Sequence, residues 1–531
     1  MITLLDYGAG NVRSVRNAIK KLGFEIKDAA SADDINQADK LIFPGVGSFG
    51  SAMTRLRELG YIDALRNYLL ADRPFLGICL GLHTLFSGSE ESPGIEGLGI
   101  IPGAVGRFDL NLAPLAVPHI GWNGIQRRKD SVIFDNYESE KLYFVHSYRA
   151  VETEANHDWI LTTTSYGEEF ISSINRGNVC ATQFHPEKSG AAGLKILHNF
   201  LAADKVLELS SKPTAADNRT RLAKRIIACL DVRSNDNGDL IVTKGDQYDV
   251  RNEGEVRNLG KPVELARRYF NEGADEITFL NITGFRDFPL KDQPMLEVLK
   301  RTSEQVFVPL TIGGGIRNFT DSQGRDYSAL DVASEYFRSG ADKISIGSDA
   351  VYTAEKYRRL GRHDNAISQI SERYGSQAVV ISIDPRRIYV KNEAEAMDHH
   401  VIKTTQPGPN GEEYCWYQCT VKGGREGCDL DALTLAQICE KLGAGEILLN
   451  CIDRDGTNMG FDLELINLVR DNVGIPVIAS SGAGCPAHFA EVFAGTRAEA
   501  ALAAGIFHRR EVPISEVKDY LARNGVEIRK Q

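Results

Sequence analysis

A chain of 531 residues exceeds one hydrophobic core, and its 42% apolar and 25% charged content is that of an ordinary globular protein. A net charge of −11 without a basic stripe offers nothing to a phosphate backbone, and no window approaches the roughly 20 apolar residues of a membrane span. Nucleic-acid and membrane partners are therefore excluded. Nine scattered cysteines read as reduced thiols, and the start MITLLD is too short for a signal peptide, so the expected location is the cytoplasm, or a plastid after loss of a transit peptide.

In the first part of the chain, strand runs at Lys40–Phe43, Pro74–Ile78 and Val179–Phe184 alternate with helical stretches, which predicts a doubly wound α/β domain. Gly8-Ala9-Gly10 lacks the third glycine of a dinucleotide fingerprint and reads as a turn. After KLIF, Pro44-Gly45-Val46-Gly47 exposes backbone amides that, with the amide of Leu80, would make an oxyanion hole. Gly77-Ile78-Cys79-Leu80-Gly81 joins a buried strand to a helical pattern, placing Cys79 on an elbow where a helix N-terminus would favour its thiolate. An isolated cysteine there would more often be core. The strand VCATQF, however, ends in His185-Pro186-Glu187, a base for Cys79 and a carboxylate to hold the base's tautomer.

The polar segment 202–220 is expected to be a linker, with domains at 1–201 and 221–531. Beyond it come eight strand-like runs: IIACLD231, EITFLN281, PLTIGGG315, KISIG347, VVISID384, EILLNCID453, PVIASSGAG484 and AALAAG505. Eight strands with intervening helices predict a (β/α)8 barrel. Asp231 recurs as Asp384, the Gly313 cluster as the Gly482 cluster, and Gly347 as Gly505, so two half-barrels look fused, with a hairpin insertion at about 388–429. Within that insertion Cys415, Cys419, Cys428, His399 and His400 lack zinc-site spacing, and no metal is expected.

Barrel active sites lie at the C-terminal strand ends. There Asp231 and Asp384 face each other as candidate general acid and base, the alternative being helix capping. Two glycine clusters, Gly313, Gly314 and Gly315 with Gly347 and Ser348, and Gly482 to Gly484 with Ala504 and Gly505, suggest a substrate with a phosphate at each end.

The elbow and the His-Pro-Glu end resemble those of class I glutamine amidotransferases, and DYGAGN, FPGVGSFG, PHIGWN and YFVHSY narrow the resemblance to the glutaminases of the imidazole glycerol phosphate synthase family. RIIACLDV, FLNITGF, TIGGGIRNF, GADKISIG, GSQAVVISID, GAGEILLNCIDRDGTNMG and IASSGAG closely resemble that family's cyclases, here in the fused, eukaryotic-type arrangement. The resemblance implies that Cys79, His185 and Glu187 hydrolyse glutamine through a thioester. It also implies that ammonia attacks an open-chain phosphoribulosyl formimino carboxamide ribotide, giving imidazole glycerol phosphate and aminoimidazole carboxamide ribotide. Asp231 and Asp384 match the acid and base, Lys244 a substrate-binding loop lysine, and Asp455, Gly456 and Thr457 a phosphate-side loop. His83 stands where the family's glutamine helps to hold the substrate; Asn281, Gly347 and Ser481 replace residues that are often Asp, Asn and Gly. No cofactor is implied, the substrates are small molecules, and the two domains partner each other in cis. Rival readings are pyridoxal phosphate synthase, which needs a Schiff-base lysine that Lys343 is badly placed to supply, and a regulatory protein with an inactive glutaminase.

Alternation places Cys229, Ile227 and Arg225 in the lumen with Asp231, Ser345 and Lys343 with Gly347, Ser382 with Asp384, and Thr311 with Gly313. The expected lumen is small and polar. At its floor Arg225, Glu276, Lys343 and Glu446 would form a ring of two positive and two negative charges, which the resemblance implies is an ammonia gate, a structural salt-bridge plug being the lesser alternative.

Overall fold

The computed structural model describes the chain apart from residues 9, 46, 110–114, 204–207, 210–219, 235–239, 244–250, 253–254, 257–258, 283–289, 291–292, 362–363 and 531. Lys244 lies outside the described residues, as does position 46 of the Pro44–Gly47 turn.

The first domain is built on an eight-stranded sheet ordered Ile26–Asp28, Ile2–Leu4, Lys40–Gly45, Phe75–Cys79, Val179–Thr182, Glu168–Arg176, Ile160–Tyr166 and Gln126–Arg127. The first five strands are parallel and the rest antiparallel. Phe75–Cys79 is buried at every position because it is central, with neighbours on both sides and cover on both faces, which is why its sequence is an unbroken apolar run. It pairs with Val179–Thr182, so the cysteine elbow and the His-Pro-Glu segment leave adjacent strand ends.

In the second domain eight parallel strands close on themselves. Arg225–Ser234 pairs with Glu276–Asn281, and the series continues through Leu310–Gly313, Lys343–Ile346, Val379–Ile383, Glu446–Asn450, Val477–Ser480 and Ala500–Ala503, which pairs back with the first strand. All eight predicted runs are barrel strands. Between the fifth and sixth, Pro385–Val390, Ile402–Lys403, Tyr414–Val421 and Glu426–Asp431 make a separate antiparallel sheet. Cys415 and Cys419 are buried in it, and His399 stacks on Trp416 at 3.7 Å. Among the described residues no cluster of His, Cys, Asp or Glu is arranged to hold a metal ion.

The lumen departs from expectation. Its middle holds an apolar cluster of Ile227, Val380, Leu448, Ile478 and Leu502 with Cys229 and the small Ala500 and Ala504. Parity assigned the right faces, but the first and the fifth to eighth strands place Ile227, Val380, Leu448, Ile478 and Leu502 there beside the expected serines and threonines.

The domains share one core. Ile120, Trp122 and Tyr143 of the first pack into the barrel's hydrophobic cluster. Trp122 Nε1 donates to the Asp275 carbonyl at 3.2 Å and lies under the Arg529 guanidinium, 4.2 Å from the ring centre. Lys188 pairs with Asp342 at 2.6 Å, Asn11 donates to the same carboxylate at 2.8 Å, and the Val117 amide donates to the Gly474 carbonyl at 2.8 Å. The N-terminal ends of the barrel strands therefore face the cysteine elbow.

Candidate active site

Cys79 is held at φ +51°, ψ −99°, a left-handed conformation that L residues avoid and that marks a strained elbow. Its flanking glycines are explained by contact. A Cβ on Gly81 would sit 2.3 Å from the Phe43 carbonyl oxygen, and one on Gly45 2.4 Å from Leu80 Cβ. Gly47 has φ +132°, reached without penalty only by glycine. The helix after the elbow is one turn, Leu80–His83, much shorter than the helical pattern suggested. A single turn has little dipole, so its N-terminus is a weak source of thiolate stabilisation.

His185 Nδ1 lies 2.9 Å from Glu187 Oε1, both buried. Burial alone would lower the imidazole pKa, but Glu187 and Cys79 outweigh it and hold His185 well above its usual value. His185 is thus prepared to carry a proton beside the thiol. Gln183, fully buried two residues earlier, places Nε2 3.5 Å from Cys79 Sγ and Oε1 2.7 Å from His83 Nε2. His83 therefore engages a protein amide. Burial pushes its pKa down to about 4, so it is neutral near pH 7.

Gly45, Gly47, Cys79, Leu80, His83 and His185 line one cavity, whose wall also holds the half-buried carboxylate Glu91, with Glu187 behind His185. The same cavity continues to Tyr143, Lys188, Asp342 and Lys343.

Lys343 belongs to the barrel-floor ring. Its Nζ lies 2.6 Å from Glu276 and 2.7 Å from Glu446; Arg225 pairs with Glu276 at 2.9 Å and also with Glu446; and Thr311 Oγ1 donates to Glu276 at 2.6 Å. All four charged side chains are essentially inaccessible. Desolvation disfavours the Glu446 carboxylate, but Arg225 and Lys343 more than compensate and lower its pKa.

At the other end of the barrel one large cleft is lined by Asp231, Asp384, Gly314, Gly315, Gly347, Ser348, Asp455, Gly456, Gly482, Ala504 and Gly505. Asp384 accepts from Asn450 Nδ2 at 2.8 Å and Ser382 Oγ at 3.4 Å; burial raises its pKa against the opposing effect of those donors. Gly314 has φ +92°, and a Cβ there would meet the Asn281 carbonyl oxygen at 2.2 Å; Gly482, φ +95°, meets that of Gly460 at 2.2 Å. The internal repeat is thus repeated in backbone geometry.

Two expected residues are not at the cleft. The Gly484 amide donates to His488 Nδ1 at 3.1 Å, so it is spent inside the protein, and Thr457 turns its hydroxyl to the Arg454 carbonyl at 2.9 Å. The cleft also contains Arg317, Arg425 and Asn458, which the sequence did not single out. Arg425 comes from the insertion, where the Lys422 amide donates to Ser348 Oγ at 3.1 Å.

A nucleophile elbow facing a His–Glu pair, docked under a closed barrel with a bipartite glycine-lined mouth, defines a glutamine amidotransferase coupled to a barrel synthase. Family signatures agree: "Glutamine amidotransferase class-I" matches residues 3–203 and "Histidine biosynthesis protein" residues 225–513. The chain is 62% identical over 534 residues to imidazole glycerol phosphate synthase hisHF, chloroplastic, of Arabidopsis thaliana, covering all of this chain and 89% of the relative. It is 54% identical over 542 residues to imidazole glycerol phosphate synthase hisHF of Schizosaccharomyces pombe, covering all of both chains. Its barrel is 42% identical over 308 residues to imidazole glycerol phosphate synthase subunit HisF of Methanosphaera stadtmanae, covering 58% of this chain and 99% of the relative. The chain belongs to the fused imidazole glycerol phosphate synthase family: a two-domain enzyme of histidine biosynthesis, glutamine amidotransferase plus cyclase. Among the described residues no helix is long and apolar enough to cross a membrane.

Proposed function

We propose that residues 1–201 hydrolyse L-glutamine, that 202–220 link the domains, and that residues 221–531 use the ammonia to convert phosphoribulosyl formimino aminoimidazole carboxamide ribotide into imidazole glycerol phosphate and aminoimidazole carboxamide ribotide. The Cys79 thiolate attacks the side-chain amide carbon, with Gly45, Gly47 and the Leu80 amide around the developing oxyanion. His185 passes its proton to the departing nitrogen, so ammonia leaves and a glutamyl thioester remains. His185 then deprotonates water to release glutamate, while Glu187 holds the imidazole by Nδ1. Glu91 is placed to receive the substrate ammonium.

The observation that carries this reading is the cavity that touches both Cys79 and Lys343. Ammonia released there is already at the Arg225–Glu276–Lys343–Glu446 gate. Beyond it the apolar layer of Ile227, Val380, Leu448 and Ile478 favours neutral ammonia over ammonium, because an unpaired charge in an apolar lumen is strongly disfavoured. At the mouth, Asp231 and Asp384 exchange protons with the reacting ribotide. Gly314, Gly315, Gly347 and Ser348 hold one phosphate, Gly482, Ala504 and Gly505 the other, with Asp455 and Gly456 between; the family resemblance adds Lys244 as a substrate-binding cation.

The test is cyclase turnover with glutamine and with ammonium, in the parent and in Cys79→Ala. Loss of the glutamine-driven reaction alone is expected; loss of neither, or of both, overturns the proposal.

A further inference from the structure

We propose that Gln183 is a positioning residue that donates a hydrogen bond to the Cys79 thiolate, and that His83 fixes the direction in which the Gln183 amide points. The inference rests on Cys79 being the glutaminase nucleophile. Gln183 lies between strand and base, fully buried, with Nε2 3.5 Å from Cys79 Sγ and Oε1 2.7 Å from His83 Nε2. A primary amide turned the other way would aim its carbonyl oxygen at the sulfur, which repels a thiolate.

His83 decides between the two orientations. Neutral imidazole carries one N–H, and His83 Nε2 faces Gln183. With the proton on Nε2 it can only donate, so the atom facing it must be Oε1 and the NH2 group must face the sulfur. Among the described residues His83 Nδ1 makes no hydrogen bond that would compete for that proton.

The chemistry gives the contact a purpose. The one-turn helix after Cys79 contributes little field, whereas a direct N–H donor stabilises sulfur anion. It acts twice, in the free thiolate before attack and in the thiolate expelled when the thioester is hydrolysed. No proton moves along the relay; His185 does all the transfer. The other titratable groups facing the elbow cavity are Glu187 behind His185, Glu91, His146, Tyr143, Tyr148, Lys188, Asp342 and Lys343 in its wall, and Tyr7, whose buried hydroxyl is held neutral by desolvation and by Cys79 itself; none of them changes in the variants compared.

The experiment uses the full chain. The rate of Cys79 carboxamidomethylation by iodoacetamide is followed from pH 5 to 9 by peptide mass, beside kcat and KM for glutamine. Gln183→Leu is expected to move the alkylation midpoint up by about one pH unit and to lower kcat about tenfold with KM within twofold. His83→Leu should do the same more weakly, and His83→Gln, whose amide N–H can also donate to Oε1, should restore the parent profile. Ammonium-driven cyclisation reports folding, and if Gln183→Leu fails to fold, the His83→Leu and His83→Gln pair decides. An unmoved midpoint overturns the relay, as does a His83→Leu variant that raises KM at constant kcat, since His83 would then be holding substrate. If Cys79→Ala retains glutamine-driven turnover, the underlying assignment fails instead.

Discussion

Replacing Lys343 by Met tests whether the floor ring is a gate or merely a plug. The parent ring balances two cations against two carboxylates, all four side chains buried. Met fills similar volume but leaves the ring at −1. Glu276 keeps Arg225 at 2.9 Å and Thr311 at 2.6 Å, whereas Glu446 keeps only Arg225 among the described residues. Loss of the Lys343 charge should therefore raise the Glu446 pKa and make that carboxyl the easier of the two to protonate. Uncompensating a buried pair costs about 3–5 kcal/mol, a large part of a domain stability of roughly 5–15 kcal/mol. Urea unfolding should show that loss, and Lys343→Met/Glu446→Gln, which restores neutrality, should recover at least half of it. With the seal altered, product formed per glutamate should fall below one, while ammonium-driven cyclisation in the same variant changes less than about twofold. Equal losses with both nitrogen sources would refute the gate, and an additive double mutant would refute the charge argument.

Other consequences follow from single residues. Replacing Cys79, at φ +51°, with Gly should abolish glutaminase yet stabilise the first domain by about 1 kcal/mol, since the left-handed conformation costs an L residue that much; a lowered unfolding midpoint would contradict the strain. Asp231→Asn and Asp384→Asn should each lower cyclisation at least a hundredfold with either nitrogen source while glutamine hydrolysis persists; loss confined to glutamine would place them elsewhere in the reaction. Burial lowers the pKa of His83 to about 4, that of His119 to about 3, and that of His146 well below its usual range. Folding thus favours their neutral forms against an unfolded value of about 6.5: the stability is complete above that pH and is lost as pH falls towards the folded values. Three such groups steepen the dependence by up to about 4 kcal/mol per pH unit below pH 6. Denaturation midpoints from pH 7 to 5 should show it, and His119→Asn should flatten the slope; an unchanged slope would mean these histidines are not neutral.

The sequence made the reactive ends of strands legible because a strand's last residues are fixed by chemistry, as in Gly77–Gly81 and His185–Glu187. The floor ring was legible for another reason: parity along a barrel strand is rigid, so Arg225 follows from Asp231 by counting. What escaped depends on partners distant in sequence. Gln183 reads as one more residue of a buried strand until His83, 100 positions earlier, meets its amide. Gly484 matched a phosphate loop, but His488 takes its N–H, a local contact that a glycine pattern does not encode. The apolar layer was hidden because Leu448, Ile478 and Leu502 sit on strands whose sequences look the same on either face. Arg425 lay in an insertion legible as a hairpin, but its reach into the cleft is set by contacts distant in sequence.

The central claim is that nitrogen passes inside the protein from Cys79 to the Asp231–Asp384 mouth. It is tested most directly by supplying amide-15N glutamine against an excess of unlabelled ammonium at a pH where free ammonia is scarce, and weighing the imidazole product. Internal passage predicts product labelled almost completely, whatever the ammonium concentration. Label diluted in proportion to the external pool would contradict it.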